Sequence, residues 1–218
     1  MLNIGVLVSG GGSNLQAIID DCENGEIKGN IKVVISNKED AFGLERARKH
    51  NIRAVFEKDE DEVIKILKEE NVDLVVLAGY LKIISPKFVS EFENKMMNIH
   101  PSLIPSFCGD GFYGEKVHQA VIDYGAKVSG ATVHFVNEEA DAGPIIMQDT
   151  VKVMDDDDAK TLAKRVLEVE HTILPKCVKL FFEGKTGDPT TRTTIISFVA
   201  NPLLTRTWRK SPYPVSSS

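Results

Sequence analysis

The first half of the chain alternates short apolar runs with amphipathic ones. Residues 4–8 are apolar and rich in β-branched side chains, and the runs 31–35, 53–56 and 72–77 are mostly apolar, the last of them strongly β-branched. Such runs read as buried strands. Between them, apolar residues recur at helical spacing after Ser13, over 42–49 and over 60–69. Strands and helices in this alternation predict right-handed βαβ units and a parallel sheet covered on both faces.

The pattern changes after residue 96. A helix is predicted over 115–124, followed by a strand over 127–136 in which Ser129, Ala131, Val133 and Phe135 share one face and Gly130, Thr132 and His134 the other. The turn 137–144 leads into a second strand, 145–153, positioned to pair antiparallel with it. The fold class is therefore α/β: a doubly wound, mostly parallel, Rossmann-like sheet with antiparallel strands in the C-terminal half. A long helix is predicted over 159–182. Its stripe is Leu162, Val166, Val169, Ile173 and Leu174, and Pro175 is expected to kink or split it. The acidic run Asp155 to Asp158 lacks the spacing of a calcium loop and reads as capping for that helix.

Composition narrows the function. With 218 residues, 42% of them hydrophobic and 27% charged, the chain reads as globular and sized for one domain. The net charge of -6 disfavours a duplex nucleic-acid partner. Three cysteines without metal-ligand spacing suit a reducing compartment and no structural zinc. No apolar run has membrane-span length, so the expectation is a cytoplasmic protein with small-molecule substrates.

Three stretches carry candidate chemistry. Asn98 and His100 are two residues apart before Pro101, so on a strand they project to the same side while Ile99 faces the core. The proline biases His100 toward an extended strand end, where open α/β sheets bind ligands. Ser9-Gly10-Gly11-Gly12-Ser13-Asn14 joins the first strand to the first helix. It matches neither a dinucleotide fingerprint nor a P-loop, and it reads as a turn for an anion or for tight packing. Residues 78–86 are apolar at a strand's carboxyl end and read as a pocket wall or as core beneath a loop. The glycine- and aromatic-rich segment 106–114 reads as a lid. His134 is expected to be a hydrogen-bonded histidine of the sheet. Asp141 lies in a turn, and becomes notable only as a third member beside Asn98 and His100.

These residues resemble those of the folate-dependent phosphoribosylglycinamide (glycinamide ribonucleotide) formyltransferase family. The likeness spans about residues 1–184. It rests on Val8 to Ile18, Ser36-Asn37-Lys38, Ala41 to Leu44, Leu77 to Tyr80, Asn98 to Pro105, and Val133 through Pro144. It implies a single formyltransferase domain over 1–185 and an atypical appended tail over 186–218. It also implies transfer of a formyl group from 10-formyltetrahydrofolate, as co-substrate, to glycinamide ribonucleotide in purine synthesis, by a monomer or homodimer without a metal.

Residue by residue, the resemblance implies catalysis by Asn98, His100 and Asp141. Ribonucleotide binding falls on Gly12, Ser13, Asn14, Pro101 and Glu170, and folate binding on Leu81, Lys82, Ile83, Ile84, Asn137, Glu138 and Ala140. Asn98 and protonated His100 are expected to donate to the oxyanion, with Asp141 supporting the imidazolium and accepting the amine proton. The alternatives are a formyltetrahydrofolate hydrolase or a non-catalytic nucleotide- or folate-binding module. A methionyl-tRNA formyltransferase would need a second domain.

Overall fold

A computed structural model describes residues 2–186. The tail read from the sequence thus lies outside the described residues, apart from Thr186. The element order is β1 (Leu2–Val8), α1 (Ser13–Glu23), β2 (Gly29–Ser36), α2 (Phe42–Lys49), β3 (Arg53–Phe56), α3 (Glu60–Glu69), β4 (Leu74–Leu77), α4 (Pro86–Glu91), β5 (Met96–His100), α5 (Glu115–Tyr124), β6 (Val128–Phe135), β7 (Ile145–Lys152) and α6 (Ala159–Phe182). The strands form one sheet in the order β3-β2-β1-β4-β5-β6-β7. Pairing is parallel from β3 to β5, and antiparallel for β5 with β6 and β6 with β7.

Period-two alternation divides the central strands between two apolar layers. Ile4, Val6, Met97, Ile99 and Val133 pack on one face with α1, α5 and α6, and Leu7, Val75, Leu77 and Met96 on the other with α3 and α4. Strand order reverses about β1, whose neighbours are β2 and β4. The carboxyl ends of β1, β4 and β5 consequently face the crevice where α/β sheets of this kind take ligands.

Three details depart from the sequence reading. α4 was unforeseen: it is only six residues long, starting on Pro86 with Ser85 Oγ accepting from Phe88 N at 3.2 Å. β4 starts at Leu74, not at 72, because Asp73 is engaged as a side-chain acceptor for Asn3 N at 2.8 Å. α6 runs unbroken through the buried Pro175. Its start is capped as expected: Asp158 and Thr161 form a capping box, and Asp157 takes both Arg165 guanidinium nitrogens at 2.7 and 2.8 Å.

Candidate active site

At the end of β5, the alternation of the strand aims Asn98 and His100 away from the core that holds Ile99. Across the antiparallel ladder, Asn98 faces His134 and His100 faces Thr132. Asp141 approaches from the β6–β7 connection with φ of 54°, a left-handed conformation that Asp tolerates better than most residues. Gly143 presses that connection against β6, where any Cβ would lie 1.8 Å from the Phe135 carbonyl oxygen.

The polar contacts fix the tautomers. His134 Nδ1 lies 2.8 Å from the Phe135 carbonyl, which can only accept, so Nδ1 carries the hydrogen and Nε2 receives the Asn98 amide at 3.2 Å. The same Asn98 Nδ2 donates to Asp141 Oδ1 at 3.2 Å. By the same logic His100 Nε2–H donates to the Phe107 carbonyl at 2.9 Å, leaving Nδ1 3.3 Å from Asp141 Oδ2. Gly109 N–H adds a 3.0 Å bond to Asp141 Oδ2.

Burial lowers the His100 pKa, against the opposing pull of Asp141 and the Phe107 carbonyl. Burial is also the largest single influence on Asp141, pushing it up. The His134 ring, its Nε2 3.5 Å from Oδ1, the nearby His100 and Gly109 N–H together outweigh it and hold the carboxyl below its usual value. The pair at neutral pH is therefore a neutral imidazole beside a carboxylate. A proton arriving between them meets Asp141 on one side, with the Phe107 carbonyl bracing the far nitrogen.

These groups form the floor of a cleft of about 710 Å³. At one end Asn14 Nδ2 donates to Glu170 Oε2 at 2.6 Å, while Asn14 Oδ1 is buried without a partner. Burial of Glu170, only partly offset by that bond, pushes its pKa up to about 7. The lining also includes Leu81, Lys82, Ile83 and Ile84 and, from the β6–β7 connection, Asn137, Glu138 and Ala140. Leu81 and Ile83 remain 51% and 72% exposed, an apolar surface that no other described residue covers. Pro101 lines the cleft as well.

The glycine turn is tightly packed, as one of its two readings expects. Gly12, at φ 68°, packs so closely on α2 that a Cβ would lie 2.7 Å from Gly43 Cα, and Arg46 Nε holds the Gly11 carbonyl at 2.8 Å. The first turn of α1 nonetheless has no side-chain cap, which leaves the N–H groups from Ser13 onward for an anion. Asn14 reaches the cleft, whereas Gly12 and Ser13 do not line it.

Sequence reasoning underweighted His134: it is a hydrogen-bonded sheet residue as expected, but it also lines the cleft against Asn98. It missed His118 on α5, a buried cleft residue pushed down to about 4 by burial and by the nearby His100. Among the described residues no cluster of three or more His, Cys, Asp or Glu side chains is arranged to hold a metal. No described helix is long and apolar enough to cross a membrane.

Residues 2–178 match the Formyl transferase family model. The chain is 44% identical over 194 residues to phosphoribosylglycinamide formyltransferase of Haemophilus influenzae, covering 85% of this chain and 89% of that protein. The chain belongs to the phosphoribosylglycinamide formyltransferase family. A chloroplastic member from Arabidopsis thaliana is 43% identical over 84% of this chain, which spans 66% of that longer protein. The crystal structure of glycinamide ribonucleotide transformylase 1 from Symbiobacterium toebii superposes with a TM-score of 0.80 at 41% identity, over 84% of this chain and 89% of that one. A transferase of purine biosynthesis is the reading these relatives support over a hydrolase or a binding module.

Proposed function

We propose that residues 1–185 form a single domain that transfers the formyl group of 10-formyltetrahydrofolate to the amine of glycinamide ribonucleotide, with Asn98, His100 and Asp141 as its catalytic residues. The observation that carries this reading is their convergence on the floor of one cleft with a polar Asn14–Glu170 end and an apolar 81–84 end. The ribonucleotide takes the first, with its phosphate at the turn of Gly12, Ser13 and Asn14, and Pro101 beside it. The folate takes the second, with Asn137, Glu138 and Ala140 against its pterin.

The attacking amine has an ordinary pKa of about 7.7–8.0 and must lose a proton to act. Its lone pair forms the bond to the formyl carbon, the carbonyl π pair moves to oxygen, and the released proton goes to the Asp141–His100 pair directly or through water. Asn98 stabilises the oxyanion by turning one amide hydrogen from Asp141 Oδ1 to the new charge, which at the same time frees that carboxylate oxygen to accept. Because both His100 nitrogens face protein acceptors, donation from its ring to the oxyanion requires Nε2–H to leave the Phe107 carbonyl. Collapse returns the pair to the carbonyl and breaks the bond to the folate nitrogen, which takes up a proton. A base and an oxyanion donor suffice for this, so the reaction calls for no metal. Both partners are small molecules, and we assign no nucleic-acid or membrane partner. A monomer or homodimer working in the cytoplasm fits the three unpaired cysteines.

The test is a spectrophotometric transfer assay with both substrates and a control lacking the amine. Amine-dependent release of tetrahydrofolate supports the reading. Release without the amine means a hydrolase, and binding of both ligands without release means a module.

A further inference from the structure

The two hydrogen bonds that hold His100 and Asp141 from the lid side come from backbone atoms of one short stretch. Phe107 supplies the carbonyl for His100 Nε2–H at 2.9 Å, and Gly109 supplies the N–H for Asp141 Oδ2 at 3.0 Å. Upstream, the chain is locked to the sheet. Thr132 Oγ1 donates to the Ser102 carbonyl at 2.6 Å and accepts from Ile104 N at 3.1 Å, and Gln148 Nε2 donates to the Ile104 carbonyl at 3.0 Å. Downstream, Gly109, Gly111 and Gly114 all have positive φ, so the chain there has little intrinsic stiffness.

Phe107 sits at the joint, and its own φ is 52°, a strained value for a bulky non-glycine residue. Such a conformation persists only where surroundings over-determine it. Here the ring does so: it packs edge-on to Tyr124 at 5.8 Å and to Phe112 at 6.4 Å, against the apolar layer that includes α5 and α6. Ser102 Oγ, fully buried, also donates to the Ser106 carbonyl at 2.6 Å and reaches the Phe107 carbonyl at 3.3 Å.

We propose that Phe107 is a positioning residue of the active site: its ring, held against Phe112 and Tyr124, fixes the backbone that gives His100 its acceptor and Asp141 its donor. The activity arm of this inference rests on the formyl-transfer reading. Its structural arm does not.

The consequence has a sign. His100 is faced by Asp141 from the β6–β7 connection, His134 from β6 and His118 from α5. Asp141 is faced by His100, His134, the Asn98 amide, Gly109 N–H and, more remotely, the Cys108 thiol. Losing the Phe107 carbonyl removes an acceptor that favours the imidazolium, so His100 titrates at lower pH. Losing Gly109 N–H removes a donor that favours the carboxylate, so Asp141 titrates at higher pH, and the acid limb of kcat moves up.

The experiment compares wild type, Phe107→Ala, Phe107→Tyr and Ser102→Ala by NMR titration of the His100 ring nitrogens and by steady-state kinetics. In Phe107→Ala we expect His100 to titrate lower, the acid limb to rise, and kcat to fall ~10–100-fold with KM within about threefold, the pattern of a misplaced catalytic group. Phe107→Tyr, which keeps the ring, restores all three. A natively folded Phe107→Ala with unchanged His100 titration and kcat would overturn the proposal. If that variant does not fold, Ser102→Ala decides: a shift in the same directions supports it, and none refutes it. Wild type without amine-dependent turnover sinks the transfer reading instead, while the NMR titration still settles the positioning role.

Discussion

Asn98 and His134 stand opposite each other on β5 and β6, and the 3.2 Å contact between Asn98 Nδ2 and His134 Nε2 sets the direction of the amide. Only with His134 Nδ1–H tied to the Phe135 carbonyl is Nε2 an acceptor, so the rotamer of Asn98 depends on a hydrogen bond one residue further on. His134→Ala should leave Asn98 free to flip its oxygen toward the reacting carbonyl. We expect kcat to fall about tenfold, less than for loss of the donor itself, with KM changing little. Gln at the same position, which still offers an oxygen, should recover part of the loss. Equal kcat for His134→Ala and wild type would refute the orienting role.

Asn98→Ala removes the proposed oxyanion donor, and ~10²–10³ in kcat should go with it. Asp141→Asn keeps the shape and tolerates the φ of 54°, but cannot take the amine proton; a loss of ~10²–10⁴ is expected for a missing acid–base group. In both variants, calorimetric affinities for the two substrates should stay close to wild type. Substrate affinity falling in parallel with kcat would place either residue in binding.

The distance between sequence and structure is instructive at these same residues. Asn98 and His100 were legible because a period of two is a strong rule and Pro101 marks a strand end. His134 carries the same alternation, but its importance depends on which strand lies beside β6, and one strand's pattern does not name its neighbour. The contributions of Phe107 and Gly109 are backbone atoms, which leave no signature in side-chain chemistry. The sheet was readable for the opposite reason: β4, most of β1 and the second half of β2 are buried on both faces and therefore nearly all apolar. α4 escaped because six residues starting on proline look like a turn.

Gly143 makes a prediction about geometry alone. A methyl group there would meet the Phe135 carbonyl at 1.8 Å, and neither backbone atom can yield without moving the connection that carries Asp141. Gly143→Ala should cost ~10²-fold in kcat from displacement of the carboxylate. A crystal structure of the variant would show Asp141 withdrawn from His100. Undiminished kcat would mean the connection is not rigid in the way its contacts imply.

Glu170 ties stability to pH. Its pKa in the folded protein, about 7, is above the 4.5 of an unperturbed carboxyl because burial penalises the charge more than Asn14 relieves it. Between those values the folded state holds a proton that the unfolded chain has released, so stability falls as pH rises from about 4.5 to 7 and levels off above. The full change from this group is on the order of 3 kcal/mol. Glu170→Gln, neutral throughout, should abolish this component, so the difference in melting temperature between variant and wild type should widen in the variant's favour as pH rises from 5 to about 7.5. Saturating ribonucleotide should stabilise wild type more than the variant, since Glu170 and the unpartnered Asn14 Oδ1 are among the polar groups that line the cleft. Parallel melting curves across that pH range would mean Glu170 is ionised in the folded protein, and the buried pair with Asn14 would then have to be stabilised by something other than a retained proton.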